Sequence, residues 1–569
     1  MMRLILVLAV VVFGQAAASG KRPSDVEVTS LLSTYSQANA PGFAVGIYQA
    51  GRPVFAAGFG MADLDLRVPV TADTVFNLAS VSKQFTAFAV ALLADEGKLD
   101  LQADLRTYLP WMPDFGTPVT VANLVHHTSG MPDYLSLAML AGYDDESLLR
   151  QQQILNLLRT QKELSFVPGT EYEYSNSDYV LLAEIVRAVS GMPPQEFLRR
   201  RVFEPLGMVH TRVRDNLNDL QPDYAVGYQA GPTAGTWRRA VYNRAAIGPG
   251  NVLSTVGDLL KWAGNLAHPT VGDARLIARL TEPVQLNDGT RIGYGFALKR
   301  SQVAGHAVIV HDGGISGFQG MFSYFPDDDF AVVILSNGTV DDSAMLERLV
   351  ALYLPTPSGS VSDAGMSVTP DVATLHALAG NYQSVDGRML TLASDGEAMI
   401  TKDVLATKGR LTFHADGSFH IGTRRRSIFQ IERAKNGQVS ALLERMTGGS
   451  DDTPNVTSPY RTRRHERVQL ATPSASELAR LAGRYRNDAI DATYTVWMDS
   501  GRLMLSSLWM TEPQALVPTA ANRFDSLAGP LNGLSLTVQP GLKGASGRLV
   551  MHYANVRKLE FSQRLSPSR

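Results

Sequence analysis

Two strand pairs that lie far apart in the chain constrain its fold more than any other feature. The stretches "GFAVGIYQAGRPVFAAGFG" (42–60) and "MFSYFPDDDFAVVILSNG" (321–338) are rich in β-branched and aromatic residues around a turn, which predicts two hairpins. Between them, apolar residues recur every three or four positions in the segments 83–99, 178–191 and 255–267, as in amphipathic helices. One sheet built from both ends, with helices inserted between them, is an α+β design.

A second organisation begins after this domain. Residues 355–371 are rich in Pro, Ser and Gly and are interpreted as a linker. Beyond the linker, "LAGNYQS" (378–384) is echoed by "LAGRYRN" (481–487), and short strand-like segments follow both copies. We therefore predict an N-terminal domain over 19–354 and two related, small all-β barrel-like modules over 372–465 and 473–566.

The N-terminal residues resemble an export signal. An arginine at position 3 precedes an apolar run over residues 4–13, and small residues follow up to position 18. Residues 1–18 are accordingly predicted to be a signal peptide, and the mature chain is expected to be periplasmic or secreted, without a membrane span. The sequence contains no cysteine, which excludes disulfides, thiol nucleophiles and cysteine metal sites.

Composition and motifs exclude several classes of function. Lys plus Arg (52) nearly balances Asp plus Glu (54), so no nucleic-acid partner is expected. His126 and His127 are adjacent, but no further histidine or glutamate stands at ligand spacing, and we interpret the pair as structural. No metal or cofactor is expected, and a Gly-x-Ser-x-Gly elbow of the α/β-hydrolases is missing. The oligomeric state stays open.

A serine and a lysine stand three positions apart in "FNLASVSKQF" (76–85). If a helix begins near position 79, Ser80 and Lys83 lie one turn apart on the same face. The positive helix N-terminus and partial burial would both lower the pKa of Lys83, so that its amine could activate the Ser80 hydroxyl. Serine is also a favoured helix-capping residue, so the pair alone leaves both interpretations open.

Two further stretches add polar groups that could meet Ser80. In "PGTEYEYSNSDYV" (168–180), Tyr174 and Asn176 stand in a polar loop before an amphipathic helix. In "IVHDGGISGF" (309–318), His311, Gly313 and Gly314 end a predicted strand, where glycines allow close approach of a substrate. The same tyrosine-x-asparagine pattern recurs at positions 485/487 and 553/555, which we assign to sheet packing in the C-terminal modules.

The sequence thus contains three motifs in order: Ser-x-x-Lys at 80–83, Tyr-x-Asn at 174–176 and His-x-Gly-Gly at 311–314. They resemble the motifs of the serine β-lactamases and penicillin-binding proteins. The resemblance is closest to the class C β-lactamases with their esterase and D-aminopeptidase relatives. It covers about residues 25–350 and includes "PGFAVGIY", "LVHHTSGMPDY", "EPLGM" and "GPGNVLSTVGDLLKW". The resemblance implies a β-lactamase/transpeptidase-like domain, and the two C-terminal modules resemble barrels appended to D-aminopeptidase-like members.

The resemblance also implies roles for the site residues. Ser80 would attack an acyl carbon, Lys83 and Tyr174 would share proton transfer with tyrosinate character on Tyr174, and Asn176 would bind the substrate amide and hold Lys83. The backbone N–H groups of Ser80 and Gly314 would form an oxyanion hole. Which of Lys83 and Tyr174 is the general base stays open.

One departure from the family pattern affects the expected substrate. His311 stands where lactamases and transpeptidases usually have a lysine, and about a quarter of an unperturbed histidine is charged at pH 7. Esters, small amides and D-amino-acid peptides are therefore favoured over β-lactams. The alternative is a slow-acylating or non-catalytic protein, either a penicillin-binding sensor or an envelope-binding protein. The sequence does not decide whether the C-terminal modules cap the cleft, although capping is slightly preferred.

Overall fold

A computed structural model describes residues 22–564. The exceptions within this range are residues 145, 521 and 532 and the segments 356–366, 385–388, 395–398, 402–410, 422–426, 447–461, 527–529 and 540–546. The predicted signal peptide and most of the predicted linker lie outside the described residues.

The first domain is built on an antiparallel sheet that both ends of the domain supply, as the two hairpins predict. The first strand, Phe43–Gln49, pairs on one side with Arg52–Phe59 and on the other with the distant Phe330–Ser336. Among the described residues, this central sheet has six strands in the spatial order Lys299–Val303, His306–Ile315, Phe318–Phe325, Phe330–Ser336, Phe43–Gln49 and Arg52–Phe59.

Helices cover both faces of the central sheet. On one face, Phe43, Val45 and Ile47 pack with the first and last helices of the domain. On the other face, Ala44 and Tyr48 meet the larger helical layer, because successive strand residues point to opposite faces. The α-helices of this domain are Asp25–Ser33, Lys83–Asp95, Val121–Val125, Tyr134–Ala141, Gln151–Arg159, Asn176–Ser190, Pro194–Leu198, Val256–Ala267, Ala274–Leu280 and Asp342–Tyr353.

Shorter elements connect these helices. The 3₁₀ turns are Ala79–Ser82, Leu105–Thr107 and Pro326–Asp328, and Arg199–Phe203 is a π-helical turn. The short strands are Met61–Asp63, Val68–Pro69, Phe76–Asn77, Leu149–Arg150, Arg212–Val213, Tyr228–Ala230, Trp237–Arg239, Arg244–Ala245, Val252–Ser254, Val284–Gln285 and Arg291–Ile292. In the part of the chain that the structure describes, no helix combines the length and hydropathy needed to cross a bilayer.

The first C-terminal module is all-β, as predicted. Its described strands form an open antiparallel sheet of nine strands around a core of its own. The strand Ser367–Val368 belongs to this sheet, so the last part of the predicted linker is paired backbone. After the helix Val372–Leu378, the strands are Gly380–Ser384, Met389–Ser394, Met399–Thr401, Leu411–His414, Phe419–Ile421, Ser427–Arg433, Val439–Met446 and Thr462–Val468.

The second C-terminal module is a barrel, as predicted. Its described strands close into a ring of eight, with a packed interior that includes Tyr494, Leu505 and Phe561. After the helix Ala475–Ala479, the strands are Gly483–Asn487, Ala492–Asp499, Arg502–Ser507, Gln514–Ala520, Arg523–Ser526, Ser535–Gln539, Arg548–Tyr553 and Val556–Arg564.

The repeated "LAG" motif has the same local structure in both modules. The Tyr382 hydroxyl donates to the backbone carbonyl of Leu378 at 2.7 Å, and the Tyr485 hydroxyl donates to that of Leu481 at 2.8 Å. In each copy the tyrosine is buried, a short helix ends at or just before the motif, and the motif opens a strand. The two modules therefore begin in a similar way.

Candidate active site

Ser80 lies in a strained turn at the start of a buried helix. The 3₁₀ turn Ala79–Ser82 runs directly into the helix Lys83–Asp95. Ala79 has a φ of 47°, in the left-handed region, which costs a residue with a side chain about 1–2 kcal/mol. Its N–H receives support from the Asn77 side chain, which accepts it at 2.9 Å. The turn presents the half-buried Ser80 to a cleft, as strained backbone often does at functional sites.

The Lys83 amine contacts three oxygen atoms. Its Nζ is 3.0 Å from Ser80 Oγ, 2.9 Å from Asn176 Oδ1 and 3.0 Å from the backbone carbonyl oxygen of Pro249. The amide and carbonyl oxygens can only accept hydrogen bonds, so a neutral amine donates its two N–H groups to them. The lone pair of that neutral amine is then left for the Ser80 hydroxyl.

Burial makes this neutral amine accessible near neutral pH. Lys83 is fully buried, and desolvation lowers its pKa to about 7 against the opposing attraction of Asp133 and Asp312. The direction agrees with the sequence prediction. Near pH 7 a large fraction of Lys83 therefore carries a free lone pair beside Ser80.

Asn176 holds Lys83 and is itself held by a buried carboxylate. Asp133 Oδ2 accepts hydrogen bonds from the Asn176 backbone N–H at 2.5 Å and from its Nδ2 at 2.9 Å. Because Asp133 takes Nδ2, the Asn176 amide oxygen must face Lys83. The oxygen and one N–H of the Asn176 side chain are thus engaged within the protein, Asn176 lines the cleft, and its binding of a substrate amide stays a prediction.

Tyr174 lines the same cleft. The hydroxyl oxygen is buried, and no group among the described residues bonds it with ordinary hydrogen-bond geometry. Burial raises the pKa of Tyr174 well above 10, although the neighbouring Ser80 hydroxyl acts to lower it. The Lys83 Nζ lies 4.7 Å from the centre of the tyrosine ring. At neutral pH Tyr174 is therefore a phenol, which contradicts the tyrosinate character we expected.

The two glycines of the late strand have different surroundings. A Cβ atom on Gly313 would lie 2.5 Å from the Leu78 carbonyl oxygen and 2.8 Å from the Ser80 backbone nitrogen. A Cβ atom on Gly314 would meet nothing within 4 Å among the described residues, and Gly314 lines the cleft. Gly313 therefore lets the strand touch the Ser80 turn, whereas Gly314 faces the space for a substrate.

His311 lies behind the cleft and does not line it. It is 1% exposed, and its Nε2 is 3.1 Å from the Tyr294 hydroxyl. Burial, followed by the charge of Lys299, lowers the pKa of His311 to about 3. Lys299 in turn donates to Asp312 Oδ1 at 3.0 Å. His311 is thus neutral at pH 7, where the sequence predicted a quarter of it to be charged, and a buried neutral imidazole offers no charge to a substrate carboxylate.

The cleft has a volume of about 480 Å³, and residues of the barrel form part of its wall. We call the strands Arg548–Tyr553 and Val556–Arg564, with the turn between them, the cap hairpin. Tyr553 and Ala554 of this hairpin line the cleft opposite Ser80 and Gly314. The barrel therefore caps the cleft, which the sequence left open.

The pattern at positions 553 and 555 is the main site feature that the sequence analysis misassigned. Its copy at 485/487 does serve sheet packing, since the Asn487 Nδ2 donates to the Glu560 carbonyl within the barrel. Asn555, in contrast, contacts the first domain at Tyr174. The sequence around position 555 indicates only a turn between two strands. It gives no information on where the barrel docks. Asp133 was also missed, although it stands in the "MPDY" stretch that supports the family resemblance.

Comparisons with known proteins agree with the fold. A family model described as Beta-lactamase matches residues 28–354. The chain is 29% identical over 317 residues to a D-aminopeptidase of Gluconobacter oxydans, which covers 56% of this chain and 59% of that protein. It is 31% identical over 374 residues to Penicillin-binding protein 4* of Bacillus subtilis, which covers 62% of this chain and 81% of that protein. The match to the D-aminopeptidase thus spans less than two thirds of that protein's length.

Solved structures share the fold. The octameric penicillin-binding protein homologue from Pyrococcus abyssi superposes with a TM-score of 0.52 at 20% identity, over 84% of this chain and 96% of that one. A penicillin-binding protein from Bacillus halodurans superposes with a TM-score of 0.50 at 25% identity, over 57% of this chain and 99% of that one.

Proposed function

Because the chain belongs to the Beta-lactamase family, a family of serine hydrolases, we propose that it cleaves small amides or esters through an acyl-enzyme on Ser80. The observation that carries this proposal is the Lys83 amine, which lies 3.0 Å from Ser80 Oγ and within hydrogen-bond distance of two oxygens that can only accept.

Acylation follows from this geometry. The lone pair of neutral Lys83 takes the Ser80 proton while Oγ attacks the acyl carbon. The backbone N–H groups of Ser80 and Gly314 are the proposed donors to the oxyanion. Loss of one such donor typically costs about 3 kcal/mol of transition-state stabilisation. Lys83, and not Tyr174, is the proposed general base, because burial favours the neutral amine and disfavours the tyrosinate.

Tyr174 is the proposed general acid, because its hydroxyl keeps its proton at neutral pH. As a phenol with a pKa well above 10, it can donate its proton to the leaving nitrogen or oxygen and recover a proton from the Lys83 ammonium. Water then attacks the acyl-enzyme with Lys83 again as base, which releases the acid and restores Ser80. Protons balance over the cycle, since each proton taken from a nucleophile reaches a leaving group.

The cleft has room for small acyl groups. Its wall includes Tyr134, Leu135, Met139 and Ile315, and the cap hairpin closes one side. The similarity to a D-aminopeptidase supports amides of D-amino acids or short D-peptides as substrates. β-Lactams are less favoured, because His311 is neutral and buried where the family usually has lysine.

Replacement of the proposed nucleophile tests the reaction. D-Alanine p-nitroanilide, p-nitrophenyl esters and a chromogenic cephalosporin are assayed with the wild type, Ser80→Ala and the control Ser316→Ala, which removes another hydroxyl from the same cleft. Ser80→Ala should lose all activities, and Ser316→Ala should retain them. Full activity of Ser80→Ala would refute the proposal. An adduct on Ser80 that mass spectrometry detects but that never hydrolyses would instead identify a slow-acylating sensor.

We further propose that the protein acts outside the cytoplasm, in the periplasm or medium. The support is the charged, apolar and small-residue order of residues 1–18. Cell fractionation with N-terminal sequencing of the mature protein tests this, and recovery of an uncleaved cytoplasmic chain would refute it.

A further inference from the structure

The cap hairpin places an asparagine of the barrel against the wall of the cleft. Ala554 and Asn555 form the turn between its strands, and Tyr553 pairs with Val556 across it. Ala554 has a φ of 49°, a conformation that glycine adopts far more readily than alanine. The turn therefore keeps a strained backbone at the point where it enters the cleft.

Asn555 connects three segments of the first domain. Its Nδ2 donates to the Tyr174 carbonyl oxygen at 3.1 Å. Its Oδ1 accepts from the Asp133 backbone N–H at 3.3 Å and from Ser136 Oγ at 3.2 Å, and its own carbonyl accepts from Ser165 Oγ at 2.7 Å. One side chain thus ties the segment of Tyr174 to the segment that holds Asn176 through Asp133.

Asn555 bonds the Tyr174 loop, residues 171–175, at a backbone position between two that its own domain bonds. The Glu173 N–H donates to the His127 carbonyl at 2.9 Å, and the Ser175 N–H donates to His127 Nδ1 at 3.2 Å. The carbonyl of Tyr174 itself is bonded by Asn555. The Tyr174 hydroxyl lacks an ordinary hydrogen-bond partner among the described residues, so its position rests on the backbone and on ring packing.

A charged contact beside Asn555 reinforces the same loop. Arg557 donates to Glu171 at 2.9 and 3.1 Å and also contacts Glu173. Both glutamates shortly precede Tyr174 in sequence, and the arginine is largely buried. The cap hairpin therefore contacts the Tyr174 loop at the Tyr174 carbonyl and at the side chains of Glu171 and Glu173.

We propose that Asn555 is a positioning residue for Tyr174, so that the barrel is a working part of the active site. The inference rests on the proposed function of Ser80, Lys83 and Tyr174. Asn555 touches neither Ser80 nor Lys83, and its effect on the reaction passes through the place of the Tyr174 phenol. Displacement of such a proton donor by about 1 Å can lower a rate by roughly 100-fold.

A double-mutant cycle in the full-length protein tests the inference. Asn555→Ala, Tyr174→Phe and the double variant are assayed against the best substrate of the panel. Asn555→Ala should lower kcat by about tenfold or more while KM changes by less than about threefold, because the apolar wall of the cleft is kept. In the Tyr174→Phe background, Asn555→Ala should have almost no further effect on kcat, because its target hydroxyl is already gone.

Matched variants distinguish a displaced Tyr174 from a general loss of folding. Lys558→Gln removes a contact of the same hairpin, the exposed pair with Glu163, and should leave kcat unchanged. Asn555→Asp keeps the acceptor for Asp133 and Ser136 but loses the donor to Tyr174, so it too should lose kcat, and it replaces Asn555→Ala if that variant does not fold. Thermal melts confirm that each assayed variant is folded.

Three outcomes would overturn the inference: additive losses of kcat in the cycle, a loss confined to KM, or full activity of Asn555→Asp. Ser80→Ala, assayed in parallel, keeps the two proposals apart. If Ser80→Ala is active, the proposed function fails. If it is inactive and the cycle is additive, only the role of Asn555 fails.

Discussion

At the scale of single residues, the chemistry depends on the state of one lysine. Sequence spacing already places Lys83 beside Ser80, but a lysine in water would be a cation at pH 7. Burial lowers its pKa to about 7, and two acceptor oxygens orient the amine. The same burial keeps Tyr174 protonated, because desolvation disfavours whichever form is charged. One environment thus produces a base and an acid side by side.

The pH dependence of the reaction should follow Lys83. The base must be neutral, so kcat/KM should fall as the pH drops below about 7 and reach a plateau above it. Because Tyr174 titrates far above this range, Tyr174→Phe should lower the plateau and leave the acid limb in place. Initial rates from pH 4 to 9 measure both quantities. An acid limb centred near pH 4, or one that vanishes in Tyr174→Phe, would contradict the assignment of Lys83 as the base.

The two adjacent glycines should respond differently to alanine. Gly313→Ala forces a methyl group against the Leu78 carbonyl and the Ser80 nitrogen, and overpacking of this kind costs about 1–3 kcal/mol of folding free energy. It should also lower kcat, since the Ser80 turn must shift. Gly314→Ala meets open space and should change stability by less than about 0.5 kcal/mol, with KM raised by the narrower cleft. Chemical denaturation and steady-state kinetics distinguish them, and equal losses of stability would contradict this geometry.

At the scale of elements, the cap hairpin connects the barrel to the Tyr174 loop. The cap hairpin contributes Tyr553 and Ala554 to the cleft, Asn555 to the Tyr174 carbonyl and Arg557 to two glutamates. Both modules present turns of this kind, yet only this turn reaches the cleft among the described residues. A hairpin thus performs a role that the sequence pattern alone attributes to sheet packing.

Removal of the Arg557 cation should loosen the barrel from the first domain. Arg557→Gln removes the positive charge that pairs with Glu171 and Glu173. Because this arginine is largely buried, loss of the ionic partner should cost about 3 kcal/mol of folding free energy. The melting temperature should fall, and proteases should cut the segment before the barrel sooner. Lys558→Gln, which breaks an exposed pair, should cost less than about 1 kcal/mol. Equal effects of both substitutions would show that Arg557 does not anchor the hairpin.

At the scale of the whole molecule, the three units are not equally independent. The barrel interior and the helical layer of the first domain belong to one continuous apolar core. The docking also includes the Tyr494 hydroxyl, which donates to the Leu140 carbonyl at 2.8 Å, and Trp509, which packs over Gly142. The nine-stranded module has a separate core. The barrel and the first domain therefore form one structural body, although another module stands between them in sequence.

Unfolding should reveal this grouping. We expect the barrel and the first domain to open as one cooperative unit, and the nine-stranded module to open separately, because cooperativity follows shared apolar contacts. Hydrogen exchange measured by mass spectrometry in increasing denaturant resolves the units. Trp509→Ala should weaken protection in the barrel and in the Tyr134–Ala141 helix and leave the strand Val439–Met446 unchanged. A barrel that exchanges independently of the first domain would refute this grouping.

Much of the fold was predictable because the signals are local. Runs of β-branched and aromatic residues predict the two hairpins, helical spacing predicts the three long helices, and the structure confirms each of them. The pairing of Phe43–Gln49 with Phe330–Ser336 also follows, since each strand is apolar on both faces and must be buried. The different strand orders that the described residues show in the two β modules were not predictable, because both modules begin with the same motif.

The sequence by itself determined which groups are available for chemistry and which of them are near neighbours, because a helical turn alone brings Ser80 and Lys83 together. Only the tertiary structure decided their protonation states and the completion of the cleft. The pKa values of Lys83, Tyr174 and His311 depend on burial by segments distant in sequence. The contact of Asn555 with Tyr174 joins residues 381 positions apart, and it exists only because an apolar barrel surface docks on the helical layer.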